Sequence, residues 1–202
     1  PGQRIVMERF DKFFLPGKPY LDRVIMNVTP DSASLMLGLE RGDIQMLPYA
    51  SVPTDLRRLK DNPQVDLTSK GFEGIGAINW LAFNLERKPL SDVRVRKAIA
   101  HAIDKKFITK ALMGGFATAA DGPIVPGSPF AVADVVRYPL DLKKAAELLD
   151  AAGLKAGAGG ERFKLSIDYI PNTDDQQKTV AEYVRSQLKK VGITVEVRAS
   201  AD

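Results

Sequence analysis

The sequence lacks cysteine entirely and contains a single histidine, His101. The absence of cysteine excludes disulfides, thiolate zinc sites and cysteine nucleophiles, and it is compatible with an exported bacterial protein. One imidazole cannot build a multi-histidine metal cage or a two-histidine proton relay. Only carboxylates, lysine, serine and tyrosine remain for catalysis. We therefore expect a protein that is not an enzyme and has neither a metal nor a cofactor.

Long apolar runs and clustered charge are also missing. The longest apolar candidate, residues 75–83, is far shorter than the ~20 residues that span a bilayer, so we expect no membrane insertion. The 29 Lys and Arg residues and 25 Asp and Glu residues give a net charge of +4 but are interspersed. Nucleic-acid binding would require basic residues gathered on one face, so nucleic acid is not an expected partner.

The 202 residues, 45% of them hydrophobic, suffice for one sizeable core. We expect a single domain over residues 1–202. The first residues carry neither an initiator Met nor a signal pattern. The last residues follow directly on a strand pattern, and we therefore expect a piece of a longer protein.

Strand and helix patterns alternate through the first part of the chain. Alternating apolar residues predict a buried strand at 24–28, and Asp31 or Ser32 is placed to cap the helix that follows. The elements predicted here are strand 24–28, helix 32–41, strand 43–47, helix 54–60 and strand 64–69. This order indicates a sheet covered by helices.

The second part begins with a nearly continuous apolar stretch, 77–85, which predicts a central strand. Ser91 or Asp92 should cap the next helix, and Asp104 a further one that ends at Gly114-Gly115. A Pro- and Gly-rich loop, 116–139, follows. The remaining predicted elements are helix 141–152, strand 163–169, helix 180–191 and strand 193–197, the last three forming a parallel unit with a right-handed crossover. The expected fold class is α/β, with a mixed, largely parallel sheet flanked by helices.

Several features invite a functional interpretation but have simpler ones. His101 has small apolar neighbours in its helix, which favours a structural role. The glycines at 74–76 and 157–160 lack the context of a phosphate-binding loop and predict turns. Asp174 and Asp175 are expected to cap a helix. Trp80 is either a core residue or a platform for a ligand, and the residues alone leave both open.

A longer motif narrows the choice. The strings LAFN at 81–84, PLSDVRVRKAI at 89–99 and AIDK at 102–105 resemble the signature "FN…PPFDDVRVRQALSYAIDR" of oligopeptide-type extracellular solute-binding proteins of ABC importers (family 5, cluster C). Lys88 stands where a second proline is common. Shorter matches to the family lie at 17–24, 39–44, 122–127 and 138–153. Together they cover nearly the entire chain.

The resemblance implies most of the second lobe of a type II, cluster C binding-protein fold. In that family two lobes close over a solute and the complex docks on a membrane permease. The implied function is solute capture, most simply of a peptide, by a periplasmic or lipoprotein-anchored protein. The solute class stays open among peptides, nickel complexes, opines and sugars. The alternative is a stand-alone interaction domain with the same architecture.

The resemblance also implies where solute would lie. In the family it contacts the strand aligned with 77–81 and the loop aligned with 171–177. Strand backbone can pair with an extended peptide, and the N–H groups of a helix start can meet an anionic group. The candidate contact residues are Ala77, Asn79, Trp80, Asn172, Gln176 and Gln177.

Overall fold

The structure is a computed structural model that describes residues 3–29, 31–48, 52–70, 78–171 and 175–200. By their internal contacts the residues group into two compact units, Pro1–Ala50 and Ser51–Asp202. The expectation of one domain over the whole chain stays a prediction.

The described residues of the first unit form an antiparallel pair of strands and one helix. Strand β1, Arg4–Glu8, pairs with β2, Arg23–Asn27, and the end residues Glu8 and Arg23 also form an ion pair at 2.9 Å. Helix α1, Ser32–Arg41, begins as predicted at Asp31, whose carboxylate accepts a hydrogen bond from the Ser34 N–H at 2.7 Å. The prediction of strand β2 is confirmed. The sequence analysis did not predict strand β1.

Two predictions in this unit are wrong. All five residues of β2 are exposed although a buried strand was expected, because alternation of apolar residues does not reveal whether another layer covers the strand. Residues 43–47 form irregular backbone with bends and not a strand. The Ile44 N–H donates to the carbonyl of Gly38, and the Gln45 amide donates to that of Gly42. These polar groups therefore close the end of α1 instead of meeting a neighbouring strand.

The second unit holds the remaining helices and a parallel strand pair. Its elements in chain order are α2 Pro53–Lys60, α3 Val93–Ala102, α4 Lys105–Phe107 with a π-helical turn at Ile108–Leu112, α5 Leu142–Ala151, β3 Phe163–Tyr169, α6 Gln176–Lys189 and β4 Ile193–Ala199. Strands β3 and β4 pair in parallel over their full length, from Phe163 opposite Ile193 to Tyr169 opposite Ala199. The predicted β-α-β unit is confirmed as parallel.

One apolar cluster holds this unit together. It joins one face each of α3, α5 and α6 to the inner face of the β3–β4 pair. Its fully buried members include Val95, Ile99, Leu149, Leu188 and Ile193. These are positions that helical or alternating spacing predicts to face a core. Burial of large aliphatic side chains at about 1.5–3 kcal/mol each makes this cluster the main source of stability in the unit.

Two further predicted strands are wrong where the structure describes them. Residues 64–69 follow a turn in which the Asn62 side chain accepts from the Gln64 N–H at 2.9 Å. Residues 78–85 run without strand pairing into a turn, where the Asn84 side chain accepts from the Glu86 N–H at 3.0 Å. An apolar run becomes a strand only if a partner strand lies beside it. The described strands consequently form two separate pairs, β1–β2 and β3–β4.

The loop at 116–139 has no helix or strand, as predicted, yet side chains fix it at both ends. Lys105 donates to the Asp121 carboxylate at 2.6 Å and to the Ala120 carbonyl at 2.9 Å, and Arg137 lies 3.1 Å from the other oxygen of Asp121. His101 Nδ1 lies 2.8 Å from the Pro139 carbonyl oxygen. This contact ties the end of the loop to α3 and supports the structural interpretation of His101.

Candidate functional site

The carboxyl end of the β3–β4 pair is where the predicted loop site falls. Strand β3 ends at Tyr169, the chain continues through Ile170 and Pro171, and α6 begins at Gln176. Of the predicted contacts, Asn172 lies outside the described residues, as does Ala77. Open α/β sheets characteristically bind ligands beyond the carboxyl ends of their parallel strands, so the position is compatible with a binding role.

Asp175 starts α6 in a way that the sequence did not predict. It occupies the N-cap position with φ 51° and ψ 15°, and its side chain makes no capping hydrogen bond. The expectation that the Asp175 carboxylate caps the helix is therefore wrong. Asp174, the other residue expected to cap it, lies outside the described residues. A left-handed backbone turns the Asp175 side chain away from the extended geometry that a capping carboxylate needs.

Gln177 makes the connection between strand and helix. Its Oε1 accepts a hydrogen bond from the Ile170 N–H at 3.0 Å. On the other side of the strand end, the Tyr169 carbonyl accepts from the Ser200 N–H at 2.7 Å. Gln176, its predicted neighbour in the site, is half-buried. The end of β3 is thus tied to both α6 and the residue after β4.

The outer face of the strand pair carries a charged pair close to this end. Arg198 donates to both oxygens of Asp168, at 2.8 and 3.0 Å. The Arg198 guanidinium holds the pKa of Asp168 below its usual value, and the charge of Arg87 lowers it further. The sequence analysis did not predict this pair. Asp168 directly follows the buried Ile167 along the strand, and this alternation was a usable signal that its side chain lies on the outer face.

Asn79 and Trp80, the other predicted contacts, lie in the extended stretch before the LAFN motif. Both are exposed, and Trp80 exposes 74% of its surface. Phe83, three residues later, packs against the apolar cluster of the unit. The core interpretation of Trp80 is therefore wrong, and its part in solute contact stays a prediction. That Trp80 and Gln177 share one cleft stays a prediction.

A separate groove of about 490 Å³ lies in the first unit. Its apolar wall includes Phe13, Leu15 and Tyr20, and the ammonium group of Lys18 lies 3.4 Å from the centre of the Tyr20 ring. None of the predicted contact residues lines it. The groove therefore gives no support to the predicted solute contacts.

The described part of the chain lacks two features, a metal-binding cluster and a membrane-spanning helix. No cluster of three or more His, Cys, Asp or Glu side chains in it could hold a metal ion. Within the same ranges, none of the helices combines the length and apolar character that crossing a bilayer requires. The groups gathered near the end of β3 can donate and accept hydrogen bonds.

Known proteins resemble this chain over most of its length. The dipeptide-binding protein of Escherichia coli K12 is 30% identical over 196 residues, which are 96% of this chain and 35% of that protein. The nickel-binding periplasmic protein of the same strain is 28% identical over 190 residues, 88% of this chain and 35% of that protein. The chain therefore spans about a third of the length of these relatives.

Solved structures agree with the sequence matches. NikA from Brucella suis, in complex with Fe(III)-EDTA, superposes with a TM-score of 0.81 at 28% identity and covers 100% of this chain and 41% of its own. The periplasmic binding protein DppA from Helicobacter pylori, in complex with the peptide STSA, gives 0.73 at 27% identity, covering 98% and 36%. These likenesses confirm the α/β fold class of a periplasmic-binding-protein lobe.

The model of one protein family matches the chain over residues 1–202. Its description is bacterial extracellular solute-binding proteins, family 5, middle region. This match, the relatives and the structures all identify the family that the motif at 81–105 had indicated. The chain belongs to the family 5 bacterial extracellular solute-binding proteins.

Proposed function

We propose that this chain forms part of the solute-binding component of an ABC importer and helps to capture a peptide. The observation that carries the proposal is the match of the family model to all residues from 1 to 202. Two matched proteins bind peptides by their names, the dipeptide-binding protein of Escherichia coli and DppA of Helicobacter pylori with STSA. A stand-alone interaction domain would leave that whole-length match without a reason.

The proposed site is the one named from the sequence, which is marked by Ala77, Asn79, Trp80, Asn172, Gln176 and Gln177. Exposure of Trp80 supports its part, because an exposed aromatic ring can stack on a solute or cover its apolar side chain. Asn79, beside it, can donate and accept hydrogen bonds. A peptide would thus meet one aromatic surface and several amide groups, a combination typical of small-molecule sites.

The proposal extends to the partners and location of the full-length protein. Solute would be held between two lobes and delivered to the membrane permease of the importer. The protein would act outside the cytoplasm, either free in the periplasm or anchored as a lipoprotein. No catalytic step is part of this role.

Calorimetry on the full-length protein tests the proposal, with Ala-Ala, Ala-Ala-Ala and Ser-Thr-Ser-Ala as probes. We expect at least one probe to bind, and Trp80→Ala to weaken that binding about tenfold, which corresponds to ~1.4 kcal/mol. Phe130→Ala is the matched control, because Phe130 is also an aromatic residue, is 81% exposed and is not a proposed contact. Absence of binding by all three peptides, or equal effects of the two variants, would contradict the proposal.

A further inference from the structure

The hydrogen bond between Gln177 and Ile170 separates two possible roles of Gln177. Its Oε1 already accepts from the Ile170 N–H at 3.0 Å. A solute that used the same oxygen would compete with this bond.

The surroundings of this bond explain why a side chain is needed there. Asp175, the residue that begins α6, has a left-handed backbone and provides no side-chain cap. The ladder of the parallel pair ends one residue earlier, at Tyr169 opposite Ala199. The Ile170 N–H thus lies just beyond the strand pairing, and Gln177 is the group that accepts from it.

Ile170 itself is exposed to solvent. It exposes 62% of its surface at the carboxyl end of β3, directly after the last paired residue. Its backbone position depends on the neighbours that hold it, which are the Tyr169 ladder position and the Gln177 side chain. A fixed strand end costs a ligand less ordering entropy on binding than a mobile one.

We infer that Gln177 is a positioning residue, which holds the end of β3 against the first turn of α6 and does not itself bind the solute. The inference rests on the proposed function, because it assigns a role within the proposed peptide site. It separates Gln177 from Gln176, which the sequence offered together as candidates. Gln176 remains a proposed contact, whereas Gln177 acts through Ile170.

Two variants of the full-length protein separate positioning from contact. Gln177→Glu keeps an oxygen that can accept from the Ile170 N–H, and its charge suits the first turn of a helix. Gln177→Met has similar length but no comparable acceptor. If Gln177 only positions Ile170, the Glu variant behaves like the wild type and the Met variant does not. If its amide donates to solute, both variants lose affinity.

The first measurement needs no solute. Amide hydrogen exchange at Ile170, followed by NMR, should accelerate about 3- to 10-fold in Gln177→Met, as expected for one lost hydrogen bond, and stay near the wild-type rate in Gln177→Glu. Unchanged exchange in Gln177→Met would overturn the inference, because the hydrogen bond would then hold nothing.

The second measurement is the affinity for the peptide, among Ala-Ala, Ala-Ala-Ala and Ser-Thr-Ser-Ala, that binds the wild type most tightly. We expect a several-fold loss in Gln177→Met and recovery in Gln177→Glu. Equal loss in both, or loss in neither, would overturn the inference while the proposed function stands. If no peptide binds the wild type, the proposed function fails, and the exchange rates alone decide whether Gln177 holds Ile170.

Discussion

Gly153 and Gly192 form a matched pair for a stability measurement. Gly153 follows α5 with φ +81° and Gly192 follows α6 with φ +80°, so both backbones are left-handed. A Cβ added at Gly153 would meet nothing within 4 Å. A Cβ added at Gly192 would lie 2.4 Å from the Gly160 carbonyl oxygen. Substitution by alanine therefore isolates the effect of the close approach from that of the backbone conformation.

The expected costs follow from these distances. Alanine in a left-handed backbone loses about 1 kcal/mol in either place. In Gly192→Ala the Gly160 carbonyl oxygen must also move away from the new Cβ, from 2.4 Å to at least the 3.4 Å of ordinary contact. That movement strains the neighbouring hydrogen bond, at 2.7 Å, from the Arg162 N–H to the Gly192 carbonyl. Such overpacking adds ~2 kcal/mol, so we expect Gly192→Ala to cost ~3 kcal/mol and Gly153→Ala ~1 kcal/mol.

Thermal and urea unfolding, followed by circular dichroism, would measure both variants. A cost of 1 kcal/mol lowers the midpoint by roughly 2–4 °C in a chain of this size, and 3 kcal/mol by roughly 6–12 °C. The slope in urea should stay the same in both variants, because neither change alters the surface that unfolding exposes. The reasoning would be refuted if Gly192→Ala destabilised the protein no more than Gly153→Ala.

Two further predictions concern the core and the helix caps. Leu149 is completely buried, so Leu149→Ala should lower the free energy of unfolding, measured in urea, by about 2–5 kcal/mol. Leu140 is 47% exposed, so Leu140→Ala should lower it much less. Comparable losses in the two variants would contradict the packing. Hydrogen bonds from the Arg94 side chain and N–H lower the pKa of Asp92 below 3.8 in the folded state. The stabilisation that the ionised Asp92 carboxylate provides is thus complete well above pH 3.8 and disappears as the pH falls through the lowered pKa. Asp92→Asn keeps a capping acceptor but does not titrate, so it should lose less stability than the wild type between about pH 5 and pH 2. Identical pH profiles of the two proteins would contradict the ion pair.

Helix starts could be predicted from the sequence because a cap is a local interaction. Asp31, Asp92, Asp104 and Asp141 each accept a hydrogen bond from an N–H two or three residues later. The carboxylates of Asp31, Asp92 and Asp104 were predicted as caps, with Ser32 and Ser91 left open as alternatives to the first two. Asp141 was expected to be the first helical residue and is the cap of α5. Asp175 is the exception, since its left-handed backbone prevents the same contact.

Strands were predicted less well because a strand depends on a partner far away in the chain. The alternation at 163–169 and 193–197 was interpreted correctly, and the helix between the two strands brings them side by side. Residues 43–47 and 64–69 have similar apolar patterns, but their polar groups bond within local turns. Trp80 illustrates the same limit for burial, since an apolar neighbourhood in sequence left it 74% exposed.

The predicted contacts differ in how firmly the fold holds them, which bears on how a solute would be bound. The end of β3 is fixed from two sides, by the Ser200 N–H on the Tyr169 carbonyl and by Gln177 on the Ile170 N–H. Trp80 has no strand pairing, and among the described residues of its segment Phe83 is the nearest one that packs on the core. Ordering a side chain opposes binding by about 0.5–1.5 kcal/mol, and we expect this entropy loss to arise mainly at Trp80. The strand end would then present a prepared surface, and the aromatic ring would complete the site only when solute is present.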